Sequence, residues 1–349
     1  MLLLGLVLCA PSVRAECAMC AEVAAQAQAE GFNGVILVAE HGRTVYAKAF
    51  GLAHAEPREL MRLDTRFDAG SISKWVAAIV VLQLVDHGKL SLDAPISRYL
   101  PEYRADNGAR LTLRDLMRHA SGLPNLVDEA YKRDRSLKRV PLPMDEAIRR
   151  YASGDLTFAP GSAWEYSHSN WILVQAIVER VSGRPYAEQA RQALLLPLGM
   201  QHSDVLGGEP AGRGDALGYA GAPQTAQRRE TVCAGYMLAA CGFHVDAADL
   251  VTLLEAVAQG RVLSPWATRM LFTVQMPAQH YALGGRVRRV ETGGVERELV
   301  DEYGSDGAFR VSARRTSADG HAVVVMNNSG ADHLWIGDLA QRLMDASYR

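Results

Sequence analysis

"FDAGSISKWVAAIVVLQLVDHGKL", residues Phe67 to Leu90, sets Ser71, Ser73 and Lys74 at the mouth of an apolar run that reads as a buried helix. Gly70 suits a turn and Ser71 the helix entry, which places Lys74 one turn on and on the same face as Ser71. Upstream, a short helix-like stretch (Cys17 to Glu30) leads into "GVILVAEHGRTVYAKAFG", whose alternation around His41-Gly42 signals a hairpin. Downstream, "TLRDLMRHA" behind the cap-like Thr112, "MDEAIRRYA", "NWILVQAIVERVSG" and "AADLVTLLEAVAQG" carry helical periodicity. The chain then returns to strands in "YALGGRVRRVETGG", "VERELVDEYG", "GAFRVSARRTSADG" and "HAVVVMNNS", and closes on a helix from Leu334 to Met344. Strands at both ends with helices between predict an α+β fold: an antiparallel sheet built from both chain ends, flanked by terminal helices, with an inserted and mostly helical lobe. The expected division is a signal peptide at 1–15 and a single domain at 16–349, with a sheet lobe about 16–70 and 265–349 and a helical lobe about 71–264. The lobes hand over at Ser71, and clefts between lobes are favoured ligand sites.

The 349 residues are 48% hydrophobic, enough for a sizeable core. Thirty-seven basic against 39 acidic side chains leave a net charge of −2, so no overall field draws the protein to nucleic acid or an anionic membrane. "YKRDRSLKR" (Tyr131 to Arg139) is the local exception; it reads as a solvated loop, with anion binding as the alternative. "MLLLGLVLCAPSVRA" resembles an export signal cleaved after Ala15, although the usual positive start is missing. Leu8 precedes Cys9 where a lipid-anchor signal would carry a small residue. The protein is therefore expected in the periplasm or outside the cell, with no membrane span in the mature chain. Cleavage leaves Cys17, Cys20, Cys233 and Cys241, for which disulfides are plausible; proximity favours Cys17 with Cys20 and Cys233 with Cys241, while a redox "CAMC" or a four-cysteine zinc site is the sharper alternative.

A serine hydroxyl becomes a nucleophile at neutral pH only when a base takes its proton, and a lysine serves only if desolvation or charge favours its neutral form. The apolar run behind Lys74 supplies desolvation, and a helix N-terminus beneath Ser71 offers free N–H groups to an oxyanion. Ser-x-x-Lys alone is a weak signal, and on it alone a helix cap with a snorkelling lysine is preferred.

The surrounding blocks reverse that preference. "FDAGSISK", "LQLVDHGKLSLDAPISRYLP", "LTLRDLMRHASGLP" and "FAPGSAWEYSHSNWILVQAIVERVSGRPY" follow in order, and together they closely resemble the serine β-lactamase and penicillin-binding-protein family, in its class C-like branch of D-alanyl-D-alanine peptidases and esterases. The likeness runs from about Gly34 to Asn328 and implies a β-lactamase/transpeptidase-like fold. It implies Ser71 as acylated nucleophile, Lys74 as its helix partner, and Tyr166 as general base toward Ser71 and then toward water. A phenol ordinarily ionises near about 10, and an adjacent ammonium favours its anion. His168 stands where the family's Tyr-x-Asn motif has asparagine; Asn170 is a weaker candidate for that role. The third motif, Lys-Thr-Gly or His-x-Gly, aligns with Ser305-Asp306-Gly307. On that alignment Ser305 points into the cleft and Asp306 away, Gly307 admits substrate, and the Ala308 N–H joins that of Ser71 as the oxyanion hole. Serine carries no positive charge, which argues against an efficient β-lactamase; Arg310 reads as an exposed strand arginine or, alternatively, a substitute cation.

The expected protein is thus a serine hydrolase forming an acyl-enzyme with an ester, amide or D-amino-acid peptide, with a small-molecule or peptide substrate and no metal or organic cofactor. The alternative is a catalytically weak or inactive relative that binds cell-wall fragments.

Overall fold

The computed structural model describes residues 17–207, 212 and 214–349. The expected signal peptide and its cleavage point lie outside the described residues. The chain begins with helix α1 (Ala18–Ala29), then β1 (Gly34–Glu40) and β2 (Arg43–Phe50), joined by the hairpin at His41-Gly42. Near the C-terminus β3 (Val287–Thr292), β4 (Val295–Asp306), β5 (Phe309–Thr316) and β6 (His321–Asn327) follow one another. They join the first two strands in one six-stranded antiparallel sheet of order β2-β1-β6-β5-β4-β3. Pairing of Gly34–Glu40 with His321–Asn327 is what brings the two chain ends together.

β1 reads as a continuous apolar run because both of its faces are covered. Ile36 and Val38 face one way, and α1 and the terminal helix α2 (His333–Ala346) pack over them through Cys20, Ala24, Ala27, Ile336 and Leu339. Val35, Leu37 and Ala39 face the opposite way, into the larger core shared with the helical lobe. That core is organised by the helix Ile72–Asp86, in which every side chain from Ile72 to Leu82 is buried. A helix apolar all round must be enclosed on all sides; here the enclosing elements include the helices Ser169–Ser182, Leu238–Cys241 and Pro265–Phe272. A small sheet of Phe67–Asp68, Phe243–Val245 and Asp204–Val205 delivers the chain to the start of that helix. Among the described residues no helix is long and apolar enough to cross a membrane.

The cysteines form two disulfides, Cys17–Cys20 and Cys233–Cys241, with Cα atoms 5.1 and 5.7 Å apart. The two pairs do not assemble into a four-cysteine cluster. The first precedes the sheet, and the second closes the loop leading to Phe243–Val245.

A buried ion pair ties the helix Ala247–Ala258 to the sheet. Arg315 on β5 donates through Nε to Glu255 Oε1 at 2.7 Å, with the two side chains 9% and 4% exposed. Removing one partner strands the other charge in a dry site. Glu255→Ala is therefore expected to lower unfolding stability by about 3–5 kcal/mol, read by urea denaturation, with a smaller loss when Arg315→Met is added.

Candidate active site

The turn into the helix Ile72–Asp86 is built by close backbone approach. Gly70 has φ +51, and a Cβ there would sit 2.7 Å from the Ser305 nitrogen. A Cβ on Gly304 would overlap the Ala69 carbonyl oxygen. Two glycines thus let β4 lie directly against the Ala69–Ser71 backbone. Ser73 locks the turn from the other side, donating to the Gly70 carbonyl at 2.7 Å and accepting the Phe243 N–H at 3.0 Å.

Ser71 occupies the N-cap position, but its hydroxyl makes no capping bond. Its Oγ lies 2.9 Å from the Tyr166 hydroxyl and 3.1 Å from Lys74 Nζ. Lys74 does not snorkel: it is 1% exposed and donates a second bond, 2.8 Å, to the Ala240 carbonyl. The third face of the ammonium is turned to the Tyr166 ring, 5.3 Å from its centroid. Both features that favoured a cap with a solvent-seeking lysine are absent.

Tyr166 is held between two histidines. The His119 ring stacks on it at 4.2 Å between centroids, and His168 meets it edge-on at 5.1 Å. His119 is fully buried and its Nδ1 accepts the Ser167 N–H at 3.1 Å. Burial first, and the Lys74 charge second, push both histidines well below their ordinary pKa, so both rings are neutral near pH 7. Asn125 fixes His168: its Oδ1 accepts the His168 N–H at 2.9 Å, and its Nδ2 lies 3.4 Å from His168 Nδ1. His168 lines the cleft. Asn170 does not take over its place, because it is buried and bonded to Ser121 Oγ at 2.7 Å.

The third wall differs from expectation. Asp306 pairs with Phe309 across the two-residue turn Gly307-Ala308, and the ladder steps back through Ser305–Arg310 and Gly304–Val311. In an antiparallel ladder closed by such a turn, alternate residues bond to the partner strand, so Asp306 and Gly304 bond to β5 while Tyr303 and Ser305 turn their N–H and C=O outward. β3 pairs only with Val295–Val300, and among the described residues no strand covers the Tyr303–Asp306 edge. Ser305 therefore presents its main chain toward Ser71.

Side chains follow the same alternation. Gly304 faces Ala69 and Ile72, so Glu302 and Asp306 face the helical lobe, whereas Tyr303 packs toward His333 on α2, and Ser305 shares its side. The expected orientation of Ser305 and Asp306 is reversed. Asp306 meets Lys138 at 3.7 Å, spanning the mouth of the cleft. Ser305 and Gly307 line the cleft; Ala308 is fully buried, with its carbonyl taking the Gly330 N–H at 2.9 Å. Arg310 bends back onto the Gly307 and Phe309 carbonyls. Two residues before Gly304 stands Glu302, whose carboxyl is held well above the usual carboxylate range by burial and then by Asp301.

Ser71, Lys74, Tyr166, His168, Ser305 and Gly307 thus converge on one cleft of about 240 Å³ between the lobes. The β-lactamase family model matches residues 21–338 of the chain. The protein belongs to the β-lactamase family. Esterase EstB of Burkholderia gladioli is 40% identical to it over 189 residues, 51% of this chain and 48% of that protein. Teichoic acid D-alanine hydrolase of Staphylococcus aureus is 25% identical over 258 residues, 72% of this chain and 62% of that protein. The chain spans less than two thirds of the length of these curated relatives. D-amino acid amidase of Ochrobactrum anthropi SV3 superposes with a TM-score of 0.79 at 21% identity, over 95% of this chain and 97% of that one, and so shares the fold.

Three supports of the site in this β-lactamase-family protein escape a reading of the sequence: the His119 stack, the Asn125 clasp and the Ala240 carbonyl. His119 lies inside "LTLRDLMRHASGLP", and Asn125 directly follows that block, so the resemblance points at the region but not at the contact. A backbone carbonyl leaves no trace in residue type.

Asp68, which accepts the Gly70 N–H at 2.8 Å, is pushed up to about 8 by burial and the Asp306 carboxyl, against the Gly70 and Thr231 hydrogen bonds and the Lys138 charge. The folded protein keeps this proton, and the unfolded chain loses it near about pH 4. Stability therefore falls as pH rises from that value toward 8. The melting temperature of the wild type is expected to drop more steeply between pH 5 and 8 than that of Asp68→Asn, which mimics the neutral acid; parallel curves would refute the assignment.

Proposed function

We propose that this β-lactamase-family protein is an exported serine hydrolase that forms an acyl-enzyme on Ser71 and acts on esters, amides or D-amino-acid peptides. The observation that carries the reading is the position of Ser71 Oγ, uncommitted as a cap and within hydrogen-bond reach of both Tyr166 and Lys74. Ser71 Oγ attacks the carbonyl carbon and its proton passes to the Tyr166 oxygen, with the Lys74 ammonium stabilising the charge there. The N–H groups of Ser71 and Ser305 receive the oxyanion. In this role Ser305 replaces Ala308, because the strand register turns the Ser305 amide toward Ser71. Collapse of the tetrahedral adduct breaks the bond to the leaving oxygen or nitrogen, which takes the proton from Tyr166. Water then attacks the acyl-enzyme and gives a proton to Tyr166; as the bond to Ser71 Oγ breaks and the acid leaves, Tyr166 passes that proton to Ser71 Oγ.

His168 supports the reading differently from an asparagine. Neutral and clasped by Asn125, it offers a polar edge to the bound acyl group without adding charge beside Lys74. Export rests on the amino-terminal segment and on two disulfides, which suit an oxidising compartment.

A fluorophosphonate is expected to add one label per chain to wild-type protein and none to Ser71→Ala. On a short-chain aryl ester Ser71→Ala is expected to lose about 10⁴-fold in kcat and Tyr166→Phe about 10²–10⁴-fold. Labelling of Ser71→Ala would mean that another residue is the nucleophile, and an unlabelled wild type that still binds cell-wall fragments would leave the inactive binding protein as the better account.

A further inference from the structure

The basic run Tyr131–Arg139 is not a remote solvated loop. It folds as the end of the helix Leu126–Arg133 and the short turn Arg135–Arg139, and Tyr131 and Lys138 line the cleft that holds Ser71. On its far side it walls a second cavity of about 580 Å³, continuous with the first through Asp128, Tyr131, Lys138, Val232, Asp306 and Gly307.

Charge in this second cavity is unbalanced in a specific way. Lys132 is paired with Asp128 at 2.8 Å, Lys138 with Asp306 at 3.7 Å, and Arg139 with Glu230. Arg135 and Arg229 also line it, one from each side, and neither has an acidic partner among the described residues. The local acids are already engaged, so the excess positive charge sits on two guanidinium groups. Their flat donor forks match carboxylate or phosphate oxygens. By contrast β4 offers the cleft no cation: Glu302 is buried, with its carboxyl held well above the usual range by that burial, and Asp306 meets Lys138.

We infer that Arg135 and Arg229 form an anion subsite beside the Ser71 cleft, so that the preferred substrate is an ester or amide bearing a carboxylate or phosphate beyond the scissile bond. The inference names a substrate class for the hydrolase reading and rests on it. Both arginines are exposed, so each contact is a solvent-screened one worth about fivefold and weakened by salt.

The test separates binding from turnover. Affinities of 3-acetoxybenzoate, 3-acetoxyphenyl phosphate and neutral phenyl acetate are measured by titration calorimetry on Ser71→Ala protein at low and high salt, so the result does not depend on catalysis. Tighter binding of either anionic ester than of phenyl acetate is expected at low salt, with the ratio falling about fivefold for Arg135→Gln or Arg229→Gln. Lysine at the same positions should restore part of the ratio. In wild-type protein the ratio of kcat/KM, anionic over neutral, should follow the same order. Equal affinity for the three esters, or a ratio indifferent to both arginines and to salt, would overturn the subsite. Absence of turnover in wild-type protein with the binding ratio intact would instead count against the Ser71 mechanism alone.

Discussion

A single buried ammonium governs the arrangement of this protein. Lys74 projects from a helix whose neighbours are apolar on every side, and at 1% exposure it has no water to solvate it. A charge so placed is tolerable only if polar atoms are fixed around it. The Ala240 carbonyl, the Ser71 hydroxyl and the face of Tyr166 are those atoms, and each comes from a different part of the chain. The Cys233–Cys241 disulfide closes the loop that carries Ala240, and the Ser73 bonds hold the helix start against Phe243. What solvates the lysine also aims it at the serine.

The second constraint is the approach of β4 to the helix start. Two backbones can lie this close only where both lack a Cβ, at Gly70 and Gly304. The contact leaves the strand edge at Tyr303–Asp306 open beside Ser71, the proposed nucleophile, and such an edge is a set of oriented amide dipoles that need no reorganisation. The same alternation that turns the Ser305 amide outward sends its side chain to the opposite face of the sheet, so its contribution is through the main chain.

Element order and sheet composition from both chain ends were legible because they depend on local periodicity, whereas Ser71, Lys74 and Tyr166 were singled out together only through the resemblance of the surrounding blocks to a known family. The third wall was legible only to within three residues. "EYGSDGAF" contains two glycines at a strand end, and either one satisfies a motif that ends in glycine. The choice depends on which glycine meets Ala69 and which one turns the hairpin, a tertiary fact that residue types do not encode. The Asn125 clasp and the Ala240 carbonyl were hidden for the same reason, since they join segments 43 and 166 residues apart. Most of the basic run is exposed, as a solvated loop should be, but composition alone did not reveal that Tyr131 and Lys138 line the cleft.

Positive charge is placed differently on the two walls of the cleft. The strand edge carries no cation where the third motif of the family has a lysine or histidine. The strand instead carries the buried Glu302 and an Asp306 that meets Lys138 from the other side of the cleft. Lys138, Arg135 and Arg229 stand at the solvent-facing rim, where water reduces the cost of holding them near one another. Separating the Lys74 ammonium, deep and enclosed by polar atoms, from the guanidinium groups at the rim lets each be satisfied by its own surroundings. An anion held at the rim, as proposed for Arg135 and Arg229, would therefore leave undisturbed the Ser71–Tyr166, Lys74–Ser71 and Lys74–Ala240 hydrogen bonds.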